Sequence, residues 1–436
     1  MGVIYRCLMR KRINESEELM RLRRKYTSRF AIEEFQLKRF NEIWKRAFTN
    51  VPFYREWKDT YGLPAQISNL SETVAWPVLT KADLRDLTRF VRLDVAMPSG
   101  RLMTGGSTGE PVRLPSWGDT RSAISQIVGR RAYGIEPGDR TFLLWGHEHL
   151  YGKGLKRRIN VLKRCLKDWL SDWIRVSAYD LGKAAMVNAY KVFARFRPKF
   201  FIGFSPAVLA FVRQNNDRKG LVDTVKVILC TAGPLSLDEK KEIEDFFGGR
   251  VCMEYGSVEC GAMAYTRPSD GFYNVFWDTH LLQAQKQADG ECKNLVTRLM
   301  DCYVPLIRYD IGDYLELDPR NEADDAKSVL EIKSVKGRPS EIVAFACGVS
   351  FFGALVGDCV KQVPEVIASQ IAVDENANRL ELRVIANVTL PEEKLGLIKN
   401  RLELTVADMD KVDVKVVQMD KLFMTVGGKI PRVVRL

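Results

Sequence analysis

The sequence predicts an α/β fold, with a large N-terminal domain that contains α/β subdomains and a small C-terminal α+β domain. The first indication is the alternation of strand and helix patterns between about residues 141 and 255, which is typical of a parallel sheet covered by helices. The second is a change of pattern after Lys336-Gly337-Arg338, where roughly 100 residues form a separate set of helices and strands. We therefore predict domains at residues 1–337 and 338–436.

Composition restricts the class of protein. The chain has 436 residues, of which 46% are hydrophobic and 28% are charged, as in ordinary globular proteins. No apolar run approaches the ~20 residues that span a bilayer, and the first residues do not form a secretory signal, so we expect a cytoplasmic protein. The nine cysteines include no C-x-x-C pair, which argues against a disulfide framework.

The net charge of +12 is compatible with nucleotide, polyanion or anionic lipid binding, and equally with a solvated basic surface. Nucleic acid is not an expected partner, because no aromatic–basic motif is present. Val161–Tyr179 carries apolar and basic residues at helical spacing, with two tryptophans. Such a helix either packs on its own domain or lies on a membrane surface.

The N-terminal elements are predicted from composition and from capping residues. Residues 10–48 are rich in Arg, Lys, Glu and Leu, which predicts helices that end near Asn50–Tyr54. Thr80 is the expected N-cap of a short helix over Lys81–Leu87.

The alternating region follows. Its expected strands are Thr141–Trp145, Lys199–Gly203, Thr224–Cys230 and Arg250–Tyr255, and its expected helices are Leu181–Phe196, Pro206–Asn215 and Leu237–Phe247. In the second domain we expect helices at 353–361 and 391–404 and strands at 366–373, 380–386 and 412–418. Loops at the carboxyl ends of parallel strands usually hold the ligand, which points to the segments after Cys230 and Tyr255.

A glycine-rich loop precedes this region. Six consecutive residues, Thr104, Gly105, Gly106, Ser107, Thr108 and Gly109, lie between two segments that we expect to be strands. Glycine allows a ligand to approach the main chain closely, and exposed N–H groups and hydroxyls suit a triphosphate. The loop is not a Walker A motif, because no Gly-Lys-Ser/Thr follows. On its own it is either an ordinary turn or a phosphate-binding loop.

A zinc site is a further hypothesis from the sequence. Four cysteines and one histidine fall within one segment: Cys252, Cys260, Cys292, Cys302 and His280. Their spacing is not a ligand pattern, so we expect most of the cysteines to be small core residues.

Five short stretches share an order with a known superfamily. They read T-G-G-S-T-G-E-P, Y-G-S-V-E, Y-D-I-G-D, G-R-P-S-E and G-K-I-P-R, and they begin at Thr104, Tyr255, Tyr309, Gly337 and Gly428. Their order resembles the adenylate-forming superfamily of acyl-CoA synthetases, luciferases and nonribosomal adenylation domains. Residues 50–54, 77–85 and 305–313 resemble the branch of phenylacetate–CoA ligases and their relatives encoded with capsular polysaccharide genes. The resemblance covers about residues 40–436.

The resemblance implies an AMP-forming ligase. A carboxylic acid would attack the α-phosphate of ATP, giving an acyl-adenylate and pyrophosphate. A thiol, most often CoA, or an amine such as an amino sugar would then displace AMP. ATP, Mg²⁺ and CoA are the implied cofactors. The identity of the acid and the oligomeric state are not predicted.

The resemblance also implies roles for individual residues. The loop Thr104–Gly109 would hold the β- and γ-phosphates, Glu259 would carry Mg²⁺, and Asp313 would accept both ribose hydroxyls. Tyr255, followed by Gly256 and Ser257, would stack on adenine, with Ala232, Gly233 and Pro234 along the base. Arg338 would lie at a hinge between the domains and help to bind nucleotide. Lys429 would bridge the substrate carboxylate and the α-phosphate, so Lys429 and Glu259 are the expected catalytic residues.

Some residues depart from the superfamily pattern. Val258 replaces a usual Thr or Ser, Ser340 and Glu341 replace an Asp pair, and Glu110 replaces a common lysine. These departures leave open the alternative that the chain binds nucleotide without catalysing a reaction. His147 and His149 follow a predicted strand, and each is either a substrate-handling residue or a hydrogen-bonded loop residue.

Overall fold

A computed structural model gives the structure of the chain. It describes residues 2–103, 113–116, 120–145, 154–178, 180–288, 290–318, 327–336, 342–353, 355–360, 363–386, 388–423 and 432–436. The predicted fold class is confirmed, since the described residues form a large mixed α/β region followed by a smaller, β-rich C-terminal region.

The helices of the described residues are α1 (Gly2–Leu8), α2 (Arg10–Lys25), α3 (Arg29–Asn50), α4 (Pro52–Thr60), α5 (Thr120–Arg131), α6 (Gly154–Ser171), α7 (Lys183–Phe196), α8 (Ser205–Gln214), α9 (Leu237–Phe247), α10 (Leu355–Val360) and α11 (Glu392–Glu403). Across the part of the chain that is described, none of them combines the length and the apolar character needed to cross a bilayer.

The strands of the described residues are β1 (Gly100–Met103), β2 (Arg113–Ser116), β3 (Thr141–Leu144), β4 (Trp173–Val176), β5 (Phe200–Phe204), β6 (Val227–Thr231), β7 (Arg250–Ser257), β8 (Gly261–Thr266), β9 (Tyr273–Val275), β10 (His280–Lys286), β11 (Cys292–Arg298), β12 (Tyr309–Glu316), β13 (Glu331–Ile332), β14 (Ser334–Lys336), β15 (Ile342–Ala344), β16 (Ser350–Phe352), β17 (Val366–Asp374), β18 (Arg379–Ala386), β19 (Asp413–Gln418) and β20 (Val433–Arg435).

The largest sheet of the described residues has eight strands in the order β13-β9-β8-β7-β6-β5-β3-β4. Five strands of this sheet, β4, β3, β5, β6 and β7, run parallel. The alternating pattern predicted four of them, β3, β5, β6 and β7, but not β4. Strands β8, β9 and β13 continue the sheet in the antiparallel sense. The carboxyl ends of β6 and β7 are therefore neighbours at one edge of the parallel region, which is where a ligand is expected.

A second sheet brings the later motif to this edge. Strands β10, β11, β12 and β14 form an antiparallel sheet, and β12 begins at Tyr309. Strands β1 and β2 pair in the antiparallel sense, so the predicted strands on either side of the glycine-rich loop are confirmed. The loop itself lies outside the described residues.

Three local predictions were wrong. The helical region expected to end near Asn50–Tyr54 continues in α4, which begins at Pro52, because proline is well tolerated in the first turn of a helix. The predicted helix Val161–Tyr179 ends at Ser171, because Asp172 has a φ of 57° and Trp173–Val176 forms β4, whose aromatic and β-branched residues favour a strand. The predicted helix over Lys81–Leu87 is replaced by short 3₁₀ turns at Asp83–Arg85 and Leu87–Phe90. Thr80 does cap this segment, since its hydroxyl accepts a hydrogen bond from the Asp83 main-chain N (3.3 Å) and its own main-chain N donates to the Asp83 carboxylate (2.8 Å).

The C-terminal region has its own hydrophobic core, formed by the sheet β19-β18-β17-β20 with α10, α11 and the hairpin β15–β16. It contacts the large region through Asp180 and Leu181. The main-chain N of Leu181 donates to the carbonyl of Ser350 (3.0 Å), and the main-chain N of Ala407 donates to Asp180 Oδ2 (2.9 Å). The proposed domain boundary near residue 337 falls outside the described residues.

Candidate active site

Two of the five motifs lie side by side and bond to each other reciprocally. The Tyr255 hydroxyl donates to Asp313 Oδ2 at 3.2 Å, and the Tyr309 hydroxyl donates to Glu259 Oε1 at 3.2 Å. Each motif begins with a tyrosine and ends with a carboxylate, and each tyrosine bonds to the carboxylate of the other motif. We call these four residues the tyrosine–carboxylate cluster. The structure therefore brings together three residues that the sequence singled out: Tyr255, Glu259 and Asp313.

Backbone geometry explains the first motif. A Cβ atom on Gly256 would lie 2.5 Å from the carbonyl oxygen of Gly261, so only glycine fits where β7 turns back into β8. The Ser257 hydroxyl accepts a hydrogen bond from the main-chain N of Cys260 (3.0 Å) and closes that turn. Glu259 lies within the turn and is 7% exposed, whereas Val258 beside it is 43% exposed. Gly256 and Ser257 thus shape the turn that carries Glu259.

The second motif also depends on one glycine. Gly312 has a φ of 82°, a conformation that favours glycine, and its main-chain N donates to Asp310 Oδ1 at 2.9 Å. The pairing of β12 with β11 shifts register between Lys293 and Leu295. This irregular segment leaves Tyr309 buried and Asp313 half-buried on the same strand.

Two residues of strand β11 donate hydrogen bonds to the two motifs. The Asn294 side-chain amide donates to the Tyr255 hydroxyl at 2.8 Å, and Arg298 Nη1 donates to the main-chain oxygen of Glu259 at 3.1 Å. Both residues are buried. Sequence reasoning missed them, because β11 reads C-K-N-L-V-T-R and its polar residues show no pattern that separates the buried Asn294 and Arg298 from the others.

His280 is a neutral imidazole that bonds to Cys260, the residue after Glu259. Burial, helped by the nearby positive charge of Arg298, lowers the pKa of His280 to about 3. Its Nε2 is 2.9 Å from the carbonyl oxygen of Cys260, and its Nδ1 is 3.0 Å from the Thr279 hydroxyl. The neutral ring donates to Cys260 and accepts from Thr279. Among the described residues no group of three or more His, Cys, Asp or Glu side chains is arranged to hold a metal ion, which removes support from the zinc hypothesis.

Burial also fixes the protonation of the tyrosines. It raises the pKa of Tyr255 well above its ordinary value, and the negative charge of Asp313 adds to the effect. The pKa of Tyr309 is raised in the same way by burial and then by Glu259. Both hydroxyls therefore stay protonated at neutral pH and donate to the two carboxylates.

The segment Ala232–Pro234 follows β6 and lies next to the end of β7. Ala232 has a φ of 65°, which is rare for a residue with a side chain and often marks a functional loop. The Ser205 hydroxyl donates to the carbonyl of Gly233 at 2.8 Å, and the Thr231 hydroxyl donates to the carbonyl of Glu254 at 3.3 Å. These bonds hold the loop beside the strand that carries Tyr255.

The other predicted site residues lie outside the described residues. They are Thr104, Gly105, Gly106, Ser107, Thr108 and Gly109 of the glycine-rich loop, with Glu110, His147, His149, Arg338, Ser340, Glu341 and Lys429. Their roles stay predictions.

The surroundings of Glu259 fit a hard divalent cation. Its carboxylate is buried, and within the described part of the chain it accepts one hydrogen bond, from Tyr309. A buried carboxylate is costly unless it is paired, and oxygen ligands of this kind suit Mg²⁺.

Comparison with known proteins gives two distant relatives of almost full length. No family model matches the chain. Protein CapK of Staphylococcus aureus is 23% identical over 402 residues, which cover 91% of this chain and 87% of that protein. Phenylacetate-coenzyme A ligase of Pseudomonas putida is 21% identical over 406 residues, which cover 87% of each chain.

Solved structures share the fold. A 2-hydroxyisobutyryl-CoA ligase in its thioesterification state, in complex with 2-HIB-AMP and CoA, matches with a TM-score of 0.60 at 15% identity, over 94% of this chain and 91% of the ligase. An open conformation of the same ligase matches with a TM-score of 0.55 at 15% identity, over 93% and 91%. These likenesses confirm the predicted fold class and the resemblance to the adenylate-forming superfamily. They also support the prediction that the chain is an AMP-forming ligase.

Proposed function

We propose that this chain activates a carboxylic acid with ATP and transfers the acyl group to CoA. The observation that carries the proposal is the tyrosine–carboxylate cluster, in which the motif of a buried carboxylate and the motif of a half-buried carboxylate bond to each other reciprocally. The CoA ligases among the similar proteins support the same reaction class. The predicted cytoplasmic location fits a reaction that consumes ATP.

In the first half-reaction, a carboxylate oxygen of the acid attacks the α-phosphorus of ATP. An O–P bond forms, the bond to the β-phosphate breaks, and pyrophosphate leaves. Glu259 would hold Mg²⁺, which offsets the charge of the phosphates. Asp313 would accept hydrogen bonds from the ribose hydroxyls, and Tyr255 would lie along the adenine. Lys429 would bring the two anions together, since positive charge stabilises the transition state.

In the second half-reaction, the CoA thiolate attacks the acyl carbon. A C–S bond forms, the C–O bond to AMP breaks, and AMP leaves. We propose that the C-terminal domain reorients between the two steps about a hinge at Arg338. The contacts at Asp180 and Leu181 are a few hydrogen bonds to main-chain atoms, which a reorientation would break at modest cost.

Exchange of labelled pyrophosphate into ATP tests the first half-reaction. We expect exchange by the wild type with at least one acid in a screen of aryl, fatty and amino acids. Lys429→Ala should abolish it, and Lys421→Ala, an exposed lysine of the same domain, should not. Absence of exchange with every acid class, or equal exchange by wild type and Lys429→Ala, would contradict the proposal. The first of these results would favour a nucleotide-binding protein without catalysis, as Val258 also suggests.

The acceptor is tested with the acid found in that screen. AMP release that requires CoA supports the thioester product. Turnover that an amino sugar sustains without CoA would instead identify an amine acceptor, which is the alternative that the resemblance leaves open.

A further inference from the structure

Helix α6 exposes apolar residues along one side. Ile159 is 44% exposed, Leu162 is 71%, Leu166 is 55% and Trp169 is 55%. The spacing of these four residues places them in one stripe along the helix. In a helix that packs on its own domain this stripe would face the core.

The opposite side of α6 is the one that faces the protein, and it is largely polar. Asp168 and Ser171 are buried there. Arg175 Nε donates to Asp168 Oδ2 at 2.7 Å, and Arg164 Nε lies 3.9 Å from Asp168 Oδ1. The helix is therefore fixed to the domain by its polar face, and its apolar face is left to solvent.

Basic residues flank the exposed stripe. Arg158, Lys163 and Lys167 are exposed, and within the described part of the chain none of them has a carboxylate partner. The sequence of α6 holds six basic residues and one acidic residue, Asp168, which faces inward. Partial burial of the ammonium group lowers the pKa of Lys167, and the positive charges of Arg164, Arg175 and Arg12 lower it further.

Helix α1 lies next to α6 and carries a further exposed apolar residue. It packs against α6, and Leu8 is 68% exposed beside the exposed residues Arg10 and Lys11. No acidic residue precedes Glu15 in the chain. Helix α6 and the junction of α1 with α2 thus both combine exposed apolar side chains with exposed basic residues. We call Leu8, Arg10, Lys11 and the exposed residues 158–169 of α6 the basic–apolar surface.

We propose that the basic–apolar surface docks the protein on a bilayer that contains anionic lipids. An interfacial helix buries its apolar face at the level of the lipid headgroups, and its Lys and Arg side chains reach the lipid phosphates. A tryptophan at the edge of the stripe suits this depth. The exposed face of α6 has no acidic residues, so it attracts an anionic lipid surface. A second copy of this chain, with a net charge of +12, would be repelled.

The surface is separate from the candidate active site. In the eight-stranded sheet, α6 precedes the edge strand β4, which lies four strands from β7. At a spacing of about 4.8 Å per strand, this is roughly 19 Å across the sheet. The inference therefore does not depend on the proposed reaction.

Sedimentation of the full-length protein with vesicles tests the proposal. We expect the wild type to sediment with vesicles of equimolar phosphatidylcholine and phosphatidylglycerol, but not with phosphatidylcholine alone. The variant Leu162→Ser/Leu166→Ser should bind at least about tenfold more weakly. Arg158→Gln/Lys163→Gln should bind about 30-fold more weakly at low salt, and salt should weaken wild-type binding.

The matched control is Leu237→Ser/Lys241→Gln on α9, which removes one exposed leucine and one exposed lysine elsewhere. It should bind like the wild type, and thermal unfolding should show that all variants are folded. Wild-type protein that stays in the supernatant with anionic vesicles would overturn the proposal. So would equal weakening by the control, or a dimer in ultracentrifugation that Leu162→Ser/Leu166→Ser dissociates without any vesicle binding by the wild type.

Discussion

Glu259 and Asp313 belong to one cluster, and each accepts a hydrogen bond from a tyrosine of the other motif, but their surroundings differ. Glu259 is 7% exposed, and its segment is fixed by Arg298 and His280. Asp313 is half-buried, one residue beyond a glycine with a left-handed backbone. A buried, firmly held carboxylate suits a bound cation, whereas a more open one suits a ligand that enters and leaves. The difference agrees with the proposed roles of Glu259 in holding Mg²⁺ and of Asp313 in binding the ribose.

The largest expected effect is that of Glu259→Gln. The amide keeps the shape of the side chain but loses the charge that would hold Mg²⁺, so the maximal exchange rate should fall about a thousandfold, equivalent to about 4 kcal/mol. Pyrophosphate exchange at saturating ATP is the measurement. Glu316→Gln, at the far end of β12 and paired with Lys333, is the control and should exchange like the wild type.

Asp313→Asn should act on affinity instead. Loss of the charge-assisted bonds to the ribose should raise the KM for ATP about 30-fold and leave kcat nearly unchanged. Steady-state exchange kinetics as a function of ATP give both constants. The proposed difference between the two carboxylates would be contradicted if Asp313→Asn lowered mainly kcat and Glu259→Gln raised mainly KM.

The contribution of His280 to the pH dependence of stability should report on the Glu259 side of the cluster. The unfolded chain protonates His280 near its ordinary pKa of about 6.5, while the folded chain resists protonation down to about pH 3. The unfolded state therefore binds more protons between these values, and His280 should lower the free energy of unfolding by about 2 kcal/mol between pH 7 and pH 5. Urea denaturation of wild type and His280→Asn at both pH values measures this term. An unchanged pH dependence in the variant would show that His280 is not buried and neutral.

The smallest expected effect concerns the Asp313 side. Tyr255→Phe removes the donor to Asp313 and leaves the buried Asn294 amide without its partner, so unfolding should become easier by about 1.5 kcal/mol. Adding Asn294→Leu should recover part of this loss, because the orphaned amide is then gone. If the double variant is less stable than Tyr255→Phe, Asn294 has a role beyond its bond to Tyr255.

Much of the fold could be predicted from the sequence, because its periodic strands and helices are local features. The strands around the glycine-rich loop and the parallel strands β3, β5, β6 and β7 are examples. The motifs Tyr255–Glu259 and Tyr309–Asp313 were recognised by their order. Their reciprocal bonding was not, because it depends on the way in which β7 and β12 meet across two sheets.

The supporting residues were missed for a related reason. Asn294, Arg298 and His280 are single polar residues whose importance appears only when burial and partners are known. The end of α6 was missed because Trp173–Val176 continues an apolar pattern that the positive φ of Asp172 interrupts. In each case the tertiary environment determines the role or the conformation of the residue, and the local sequence does not specify it.

The most direct test of the site is whether Asp313 and the ribose hydroxyls act as a pair. Affinity for ATP and for 2′,3′-dideoxy-ATP can be measured by calorimetry for the wild type and for Asp313→Asn. The wild type should bind the dideoxy nucleotide about 30-fold more weakly, and the variant should bind both nucleotides equally, since the interaction is already lost. If Asp313→Asn keeps the full discrimination of the wild type, Asp313 does not bind the ribose and the assignment of the cluster to ATP is contradicted.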